Sequence, residues 1–288
     1  MALSKKIDFA VIFRVKNANP NGDPLNSNRP RITYEGFGEV SDVCLKRKIR
    51  DRLQENGHVI FVQSDDRKID DATSLRARAE NEKVIGEKMT KDETIKMACS
   101  KWFDVRAFGQ LFAFSAKNKG KSKAKSADEG KEEDSGVSIP IRGPVSIHSA
   151  FTPASVSVTS TQITKSVSGE EGKDGKRASD TMGMKHRVDN GVYIFYGSMN
   201  PQLSEKTGFS DQDAAALKEI LPKLFENDSS SARPEGSMRV EKVFWWQHNC
   251  KSGQYSSAKV HGTVTLNPDG SHKENRLPDL PPEIIDGF

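Results

Sequence analysis

The stretch from Lys16 to Arg31 reads Lys-Asn-Ala-Asn-Pro-Asn-Gly-Asp-Pro-Leu-Asn-Ser-Asn-Arg-Pro-Arg, and the rest of the chain is organised around it. It has no apolar pattern of its own, and its Asn-Pro, Asn-Gly and Asp-Pro pairs are typical of turns. Each of its three prolines fixes its own φ near about −65°. The stretch therefore predicts a stiff loop.

The side chains of this loop are mostly amides and guanidinium groups. They belong to Asn17, Asn19, Asn21, Asn26, Asn28, Arg29 and Arg31. If they project outward, such groups suit contacts to phosphates and ribose hydroxyls rather than proton transfer. The alternative is an ordinary surface turn, since turns are rich in asparagine in any case.

The segments on either side of the loop are regular. Ile7–Val15 is a nearly continuous apolar run that predicts a central β-strand. After the loop, Ser41 can cap a helix that runs to about Glu55 and ends at Asn56-Gly57. Leu45, Ile49 and Leu53 would form the buried stripe of this helix.

The helix also carries the basic residues Lys46, Arg47, Lys48, Arg50 and Arg52, which predict either an anion-binding surface or a plain solvated face.

Several motifs occur in order over roughly residues 7–265. They are Asn19–Pro24 with Asn28–Arg31, Ser41–Val43 leading into Leu45–Arg50, Asp104–Gly109, Gly143–Val145, Gln162–Lys165, Gly183–His186 and Gly191–Tyr193. In these motifs the chain resembles the backbone subunit of type I CRISPR surveillance complexes (Cascade), in particular the type I-C form, within the RAMP superfamily.

Composition excludes some classes of protein and leaves others open. The 288 residues include 44 Lys and Arg against 40 Asp and Glu, so the net charge of +4 does not by itself indicate a nucleic-acid binder. Basic residues gather in 16–52 and 162–187, which does favour local anion binding. There is no N-terminal apolar segment and no long apolar run, and the three cysteines have no paired spacing. We therefore expect a cytoplasmic protein without a membrane partner.

Periodicity along the rest of the chain predicts further elements. We expect strands at 58–62, 137–151 (broken near Gly143-Pro144), 191–199, 238–247 and 259–266, helices at 73–87, 90–101 and about 211–225, and a disordered tether at 117–135. Segments 156–164 and 181–188 predict the two arms of a weakly buried ribbon with a charged tip at 168–180. An isolated ribbon of this kind needs a partner surface.

Together these elements predict an α+β fold with the order of an RRM-like, or ferredoxin-like, domain. The resemblance implies a palm with inserted helical fingers and an extended β-ribbon thumb. The predicted division is 1–64 for the N-terminal half of the palm, 65–101 for the fingers, 102–151 for more palm with a disordered loop at 115–136, 152–190 for the thumb, 191–266 for the C-terminal half of the palm and 267–288 for a tail.

The resemblance implies a non-catalytic subunit that binds CRISPR guide RNA without regard to its sequence and oligomerises along the spacer. Its partners would be the guide RNA, copies of itself, other Cascade subunits and a target DNA strand paired to the guide, with no cofactor. The expected RNA-binding residues are Asn19, Asn21, Gly22, Asn28, Arg29, Arg31, Lys46, Arg47, Arg50, Arg106, Phe108, Gln162, Ile163, Lys165, Met182, Met184, Lys185, His186 and Arg187. Among these Phe108 is also a candidate core residue. The thumb would reach the neighbouring subunit and press Ile163, Val167, Met182 or Met184 between bases.

Signals for catalysis are weak. The pair His248 and Cys250 lacks a second half-site for a metal, and no nucleophile elbow or Walker-type phosphate loop is present. Asp23 is the one candidate, because related type III backbone subunits use an aspartate in a comparable loop to cleave RNA. A structural role for Asp23 in the turn is the simpler interpretation. An Asp- or metal-dependent endoribonuclease and a protein-binding module remain the alternative functions.

Overall fold

The long first strand is the centre of the fold. A computed structural model describes residues 1–86, 89–114, 137–164 and 182–288. In these ranges the strands are β1 (Ile7–Ala18), β2 (Gly22–Asp23), β3 (Arg29–Pro30), β4 (Phe37–Val40), β5 (Gly109–Phe114), β6 (Val137–Arg142), β7 (Val145–Ile147), β8 (Ala150–Ser155), β9 (Val158–Thr164), β10 (Met182–Met199), β11 (Met238–Gln247), β12 (Val264–Leu266), β13 (His272–Glu274) and β14 (Glu283–Asp286). The helices are α1 (Asp42–Glu55), α2 (Leu75–Asn81), α3 (Lys91–Lys101), α4 (Phe103–Phe108), α5 (Pro201–Thr207), α6 (Asp211–Ile220) and α7 (Ser257–His261).

The main sheet is antiparallel and, over the described residues, contains eight strands. Its order is β14-β11-β1-β10-β8-β4, and β7 and β9 also pair with β10. In β1, Val11 lies opposite Phe195 of β10 on one side and opposite Val243 of β11 on the other. A strand paired on both sides is covered and apolar, as the run Ile7–Val15 predicts.

Helices α1 and α6 cover one face of this sheet. Leu45 and Ile49 of α1 and Leu217 of α6 are buried in one cluster with Phe9 and Phe13 of β1. The predicted helix after the loop is confirmed, including its cap, because the Ser41 hydroxyl accepts a hydrogen bond from the Cys44 amide at 3.3 Å. The chain therefore folds locally as strand, loop and helix.

The segment after β11 covers part of the opposite face. Val260 and Val264 are buried there against Ile12 and Trp246. The predicted strand at 259–266 is wrong in its first half, because Ser256 caps helix α7 by accepting a hydrogen bond from the Lys259 amide at 3.3 Å. Only β12 and β13 form a small hairpin in this cover.

A buried carboxylate ties this cover to the start of β1. The Asp8 carboxylate lies 2.8 Å from His248 Nε2, 3.4 Å from His261 Nε2 and 3.3 Å from Lys6 Nζ. His248 Nδ1 accepts a hydrogen bond from the Gln254 amide at 2.9 Å, so Nε2 carries the hydrogen that is donated to Asp8. The cluster fixes residues 248–261 onto the sheet.

The helical insertion has its own apolar cluster. Ala79 of α2 and Ala98 of α3 are buried with Trp102, Phe61 and Phe112. The helices predicted at 73–87 and 90–101 correspond to α2 and α3, of which α2 is shorter than predicted. The insertion is thus a packed unit beside the sheet.

The strand predicted at 58–62 is wrong. The amides of Phe61 and Val62 donate to the buried Asp104 carboxylate at 2.7 and 3.0 Å, and the Phe103 amide donates to the Val59 carbonyl oxygen. Because these groups bond to α4 and its carboxylate, the segment docks on a helix end and does not join a strand ladder.

Three further differences concern where elements begin and end. The predicted ribbon arm 181–188, described from residue 182, and the separately predicted strand 191–199 form one continuous strand, β10, which leaves the sheet as the ribbon paired with β9. Helix α6 ends at Ile220, and residues Leu221–Lys223 form a 3₁₀ turn that contains Pro222. The tail is partly ordered into the sheet, since β14 pairs with β11 at its edge. The predictions for 117–135 and 168–180 concern residues outside the described ranges.

The break predicted near Gly143 is confirmed, and two backbone segments approach closely at Gly109. Strands β6 and β7 are separate, and Gly109 has φ of +81°. A Cβ atom on Gly109 would lie 2.2 Å from the Ile141 carbonyl oxygen. Only glycine fits between these two backbones.

Candidate nucleic-acid interface

The predicted stiff loop is a small hairpin. Strands β2 and β3 pair antiparallel, and the Asn28 amide donates to the Asp23 carbonyl oxygen at 2.8 Å. The backbone at Ser27 and Asn28 takes the left-handed conformation, with φ of +50° and +57°. A Cβ on Gly22 would lie 1.9 Å from Asn28 Oδ1, so the Asn28 side chain packs directly against the glycine backbone. The loop is held by its own backbone and amides.

Two of the loop asparagines hold the loop from inside. Asn19 is only 4% exposed, and its side-chain amide donates to the Asn28 carbonyl oxygen at 2.7 Å. The expectation that Asn19 projects outward is therefore wrong. Asn21 is half-buried, and its Oδ1 accepts hydrogen bonds from the amide of Ser41 at 3.0 Å and from its hydroxyl at 2.9 Å. Asn21 thus fixes the loop to the residue that caps α1.

The outward-facing groups of the loop are fewer than the sequence predicts. Asn17, Asn26 and Asn28 are exposed, and Arg29 and Arg31 are half-buried. Arg31 Nη2 lies 3.6 Å from the Asp23 carboxylate, which also accepts a hydrogen bond from the Leu25 amide at 3.2 Å. Asp23 therefore has structural partners within the loop, as the simpler interpretation of this residue predicts.

Only part of the basic side of α1 faces solvent. Lys46 Nζ lies 2.8 Å from Asp42, and Arg47, 48% exposed in its side chain, lies 3.3 Å from Asp66. Lys48 is buried and forms an ion pair with Asp228. Burial lowers the pKa of Lys48, and the nearby Asp228 carboxylate opposes this effect. The cations of α1 that remain accessible to a ligand are thus Lys46 and Arg47.

Arg50 and Arg106 take part in internal ion pairs. Arg50 Nε donates to the buried Asp104 carboxylate at 2.9 Å, and its guanidinium carbon lies 5.2 Å from the centre of the Phe108 ring. Arg106 binds Asp213 with two hydrogen bonds, of 2.7 and 3.1 Å. Burial disfavours the charged form of Asp213, but the bonds from Arg106 prevail and hold its pKa below the ordinary value. Phe108 packs against the main core, as its core interpretation predicts.

One face of the ribbon carries two exposed methionines, and the other carries an isoleucine beside basic side chains. In the register of β9 and β10, Met184 lies opposite Gln162, and the Gln162 amide donates to the Met182 sulfur at 3.0 Å. Met182 and Met184 are 67% and 55% exposed. On the other face lie Ile163, Lys185 and Arg187, all exposed. Lys165 and Val167 lie outside the described residues.

His186 stands at the base of the ribbon. Its side chain is nine-tenths buried, and its Nδ1 lies 2.8 Å from the Ser160 hydroxyl. Its Nε2 is buried and has no hydrogen-bond partner among the described residues, and the same is true of Asn19 Oδ1 and Arg31 Nε. Ala18, the last residue of β1, lies opposite Val188 at the base of the ribbon, so the loop begins beside it. The structure therefore brings together the loop, the start of α1 and the base of the ribbon, and three buried polar atoms of the loop and the ribbon lack a hydrogen-bond partner among the described residues.

The described part of the chain holds neither a metal-binding cluster nor a helix that could span a membrane. No group of three or more His, Cys, Asp or Glu side chains in the described ranges is placed to hold a metal ion. None of the helices described is both long and apolar enough to cross a membrane. The pKa of Cys44, at the start of α1, is raised by burial, so this thiol is not an activated nucleophile.

The chain is similar to proteins of known description. A family model described as "CRISPR-associated protein Cas7" matches residues 5–280. A protein of Haloferax volcanii described as CRISPR-associated protein Cas7 is 22% identical over 306 aligned residues, which cover 99% of this chain and 82% of that protein. A solved chain titled "CRISPR RNA-guided surveillance complex, pre-nicking" is 15% identical with a TM-score of 0.45, over 84% of this chain and 78% of that chain. Another, titled "CRISPR RNA-guided surveillance complex", is 18% identical with a TM-score of 0.45, over 92% and 77%.

Proposed function

Because the chain belongs to the CRISPR-associated Cas7 family, we propose that it is the backbone subunit of a type I Cascade surveillance complex, of the type I-C form, and that it binds guide RNA without reading its sequence. The observation that carries this proposal is the junction described above. There a stiff hairpin is fixed to the first turn of α1 by Asn21, beside the base of a ribbon with exposed apolar and basic groups.

The groups available at this junction favour contacts to the RNA backbone. Arg29, Arg31, Lys46 and Arg47 offer guanidinium and ammonium donors, and Asn28 offers an exposed amide. Such donors recognise phosphates and ribose hydroxyls, which are the same at every position of a variable spacer. Asn19, Arg50 and Arg106 would act by holding the loop and helices in place, since they are occupied by internal partners.

The ribbon supplies the second part of the proposed mechanism. Ile163, Met182 and Met184 are large, exposed apolar side chains on an element that extends from the sheet. Such side chains can enter between bases and unstack them. Lys185 and Arg187 would contact the flanking phosphates. We propose that the ribbon acts as a thumb that displaces guide nucleotides at intervals and leaves the rest free to pair with a target DNA strand.

The element order supports an RRM-like palm. Elements β1, α1, β7, β10, α6 and β11 follow the order strand, helix, strand, strand, helix, strand, and the four strands lie in the sheet as β11-β1-β10-β7. The cluster of α2, α3, β5 and β6 would be the fingers, and the β9–β10 ribbon would be the thumb. A two-stranded ribbon is stable only against another surface, so we propose that it docks on a second copy of the chain in a filament.

We propose that the subunit is not catalytic. The carboxylate of Asp23 has a turn amide and Arg31 as partners, which gives it a sufficient role in the loop. An endoribonuclease would instead show activity that depends on Asp23.

Co-expression with a CRISPR RNA tests the proposal. The purified chain is expected to retain RNA, seen as a raised ratio of absorbance at 260 nm to that at 280 nm, and to elute as an oligomer. The double variant Lys46→Gln/Arg47→Gln should retain less RNA for every spacer tried. A chain that never retains RNA, or retains only one particular spacer sequence, would refute a sequence-independent backbone.

A further inference from the structure

The second face of the sheet is only partly covered. Residues 249–280 lie over the half of this face that contains Ala10 and Ile12. The cover ends near Gly270, whose Cβ position would be 3.0 Å from Val192 and 3.3 Å from the Arg14 guanidinium. Beyond that point the face is open. Phe13 and Val15, the neighbours of Arg14 in β1, are fully buried on the face that α1 and α6 cover. Successive side chains of a strand point to opposite faces, so Arg14 and the open part lie on the face away from α1.

The open part of this face is a cavity lined by cations. It has a volume of about 450 Å³ and is lined by Arg14, Lys16, Asn190, Gly236, Ser237 and Arg239. In the described ranges, three of its lining residues are basic and none is acidic. The volume is within the range of ligand pockets in general.

The arrangement of these cations is costly without an anion. Arg14 and Arg239 are directly opposite each other in the register of β1 and β11. Like charges in opposed positions of a sheet destabilise it. Glu241 compensates in part, because it lies 2.6 Å from Arg14, but it is 3.9 Å from Arg239. Lys16 is exposed and has no carboxylate partner in the parts of the chain that the structure describes.

The cavity is also pre-formed and equipped with a free hydroxyl. The Lys16 amide donates to the Ser237 carbonyl oxygen at 2.8 Å, which ties the 236–237 turn to β1. The hydroxyl of Ser237 is buried and has no hydrogen-bond partner among the described residues. Arg14 is held by Glu241 and by Asn190, whose Oδ1 lies 3.4 Å from it. None of the lining residues is aromatic, so the site offers donors for a phosphate and no ring on which a base could stack.

We propose that this cavity binds a backbone phosphate of a nucleic-acid strand other than the guide. Lys16 and Arg239 would contact the phosphate oxygens, Arg14 would be held in place by Glu241, and Ser237 would donate a hydrogen bond. The sheet separates this cavity from α1, so a guide that runs along the loop and α1 leaves it free for a second strand. The site itself requires only the cations and the hydroxyl, whereas the identity of the strand rests on the function proposed above.

The test measures the affinity of the guide-loaded chain for a labelled oligothymidine that does not pair with the guide, by fluorescence anisotropy over a range of salt concentrations. The variant is Lys16→Gln/Arg239→Gln, which leaves Arg14 and its partners in place. The matched control is Lys5→Gln/Lys206→Gln, which removes two exposed lysines elsewhere on the surface. Circular dichroism verifies that both variants are folded, and the single variant Lys16→Gln replaces the double one if that does not fold.

Loss of two phosphate contacts is expected to weaken binding about 25-fold at about 0.1 M salt and to reduce the salt slope by about 1.4, whereas the control stays near the wild type. Equal losses in variant and control, or no loss in either, would overturn the proposal. So would a variant that binds the oligothymidine normally but no longer associates with a second copy of the chain, because the cavity would then take an acidic protein surface.

Guide retention, measured as the absorbance of the purified chain at 260 nm, distinguishes a failure of this proposal from a failure of the function proposed above. The variant is expected to keep its guide. If even the wild type keeps none, the backbone function fails, and the same titration on the guide-free chain still decides whether the cavity binds a phosphate.

Discussion

The salt dependence of guide binding is the sharpest consequence of the proposed junction. The perturbation is Lys46→Gln/Arg47→Gln, which removes the two accessible cations of α1 and leaves its buried stripe untouched. Both side chains already face carboxylates, Asp42 at 2.8 Å and Asp66 at 3.3 Å. Arg47 also lies 3.7 Å from the buried Asp51, which keeps Arg67 as a second cation at 4.0 Å. Partly exposed pairs of this kind contribute little to stability, so the variant is expected to unfold nearly like the wild type.

The size of the effect follows from the number of accessible cations. In the described ranges, six of them lie on residues 19–31, α1 and the ribbon, namely Arg29, Arg31, Lys46, Arg47, Lys185 and Arg187. If each contacts one phosphate of a single strand, log K should fall with log salt with a slope of about −4 for the wild type and about −3 for the variant. Between about 50 mM and about 200 mM salt, affinity should then fall about 300-fold for the wild type and about 50-fold for the variant.

The assay is fluorescence anisotropy with short labelled guides of three unrelated sequences, titrated at several salt concentrations. Lys242→Gln/Lys251→Gln is the matched control, because these lysines are also paired with carboxylates, Asp286 and Glu205, both at 2.7 Å. The reasoning is refuted if the variant and the wild type have the same slope, or if the slope changes for one guide sequence only.

Three further predictions concern single residues. Asp8→Asn should lower the free energy of unfolding by about 3 kcal/mol, because it leaves the buried His248 and its cationic neighbour without a carboxylate. Burial opposes the charged form of Asp8, but the hydrogen bonds that the carboxylate accepts outweigh burial and hold its pKa below the ordinary value. The contribution of Asp8 to the free energy of unfolding is therefore complete above about pH 4 and declines as the pH falls further. Urea denaturation should therefore show wild type and variant converging in acid, and a constant difference would contradict this. Gly109→Ala should lower the free energy of unfolding by at least about 2 kcal/mol, since its φ is +81° and the new Cβ would strike the Ile141 carbonyl oxygen; an unchanged midpoint in chemical denaturation would count against this geometry. Asp23→Ala should leave the length of incubated precursor RNA unchanged on a denaturing gel, and cleavage by the wild type that disappears in this variant would establish the endoribonuclease instead.

The elements that the sequence predicts well are those with a local cause. The apolar run Ile7–Val15 predicts β1, and Ser41 with the stripe of Leu45 and Ile49 predicts α1, because strand burial and helix capping depend on neighbours within a few residues. The segment 58–62 has the same strand-like composition and is not a strand. The buried carboxylate of Asp104, 42 residues from Val62, accepts hydrogen bonds from the amides of this segment.

The candidate site likewise has features that the sequence predicts and features that it misses. The sequence predicts the stiff hairpin between β1 and α1, and it identifies the family through motifs that run along the chain. It does not predict that Asn19 faces inward, because that depends on how Asn28 folds back over it. It also misses Lys16 and Arg239. Alternation along β1 places Arg14 and Lys16 on one face, but Arg239 comes from β11, which joins them only in the sheet.

The amino-acid sequence by itself determined which side chains are basic and where they fall along strands and helices. Only the tertiary structure decided which of those cations are free to bind an anion. Lys48, Arg50 and Arg106 are paired with Asp228, Asp104 and Asp213, which lie 180, 54 and 107 residues away in the chain. The availability of a charge depends on the carboxylates that folding brings beside it, and no local pattern records those partners.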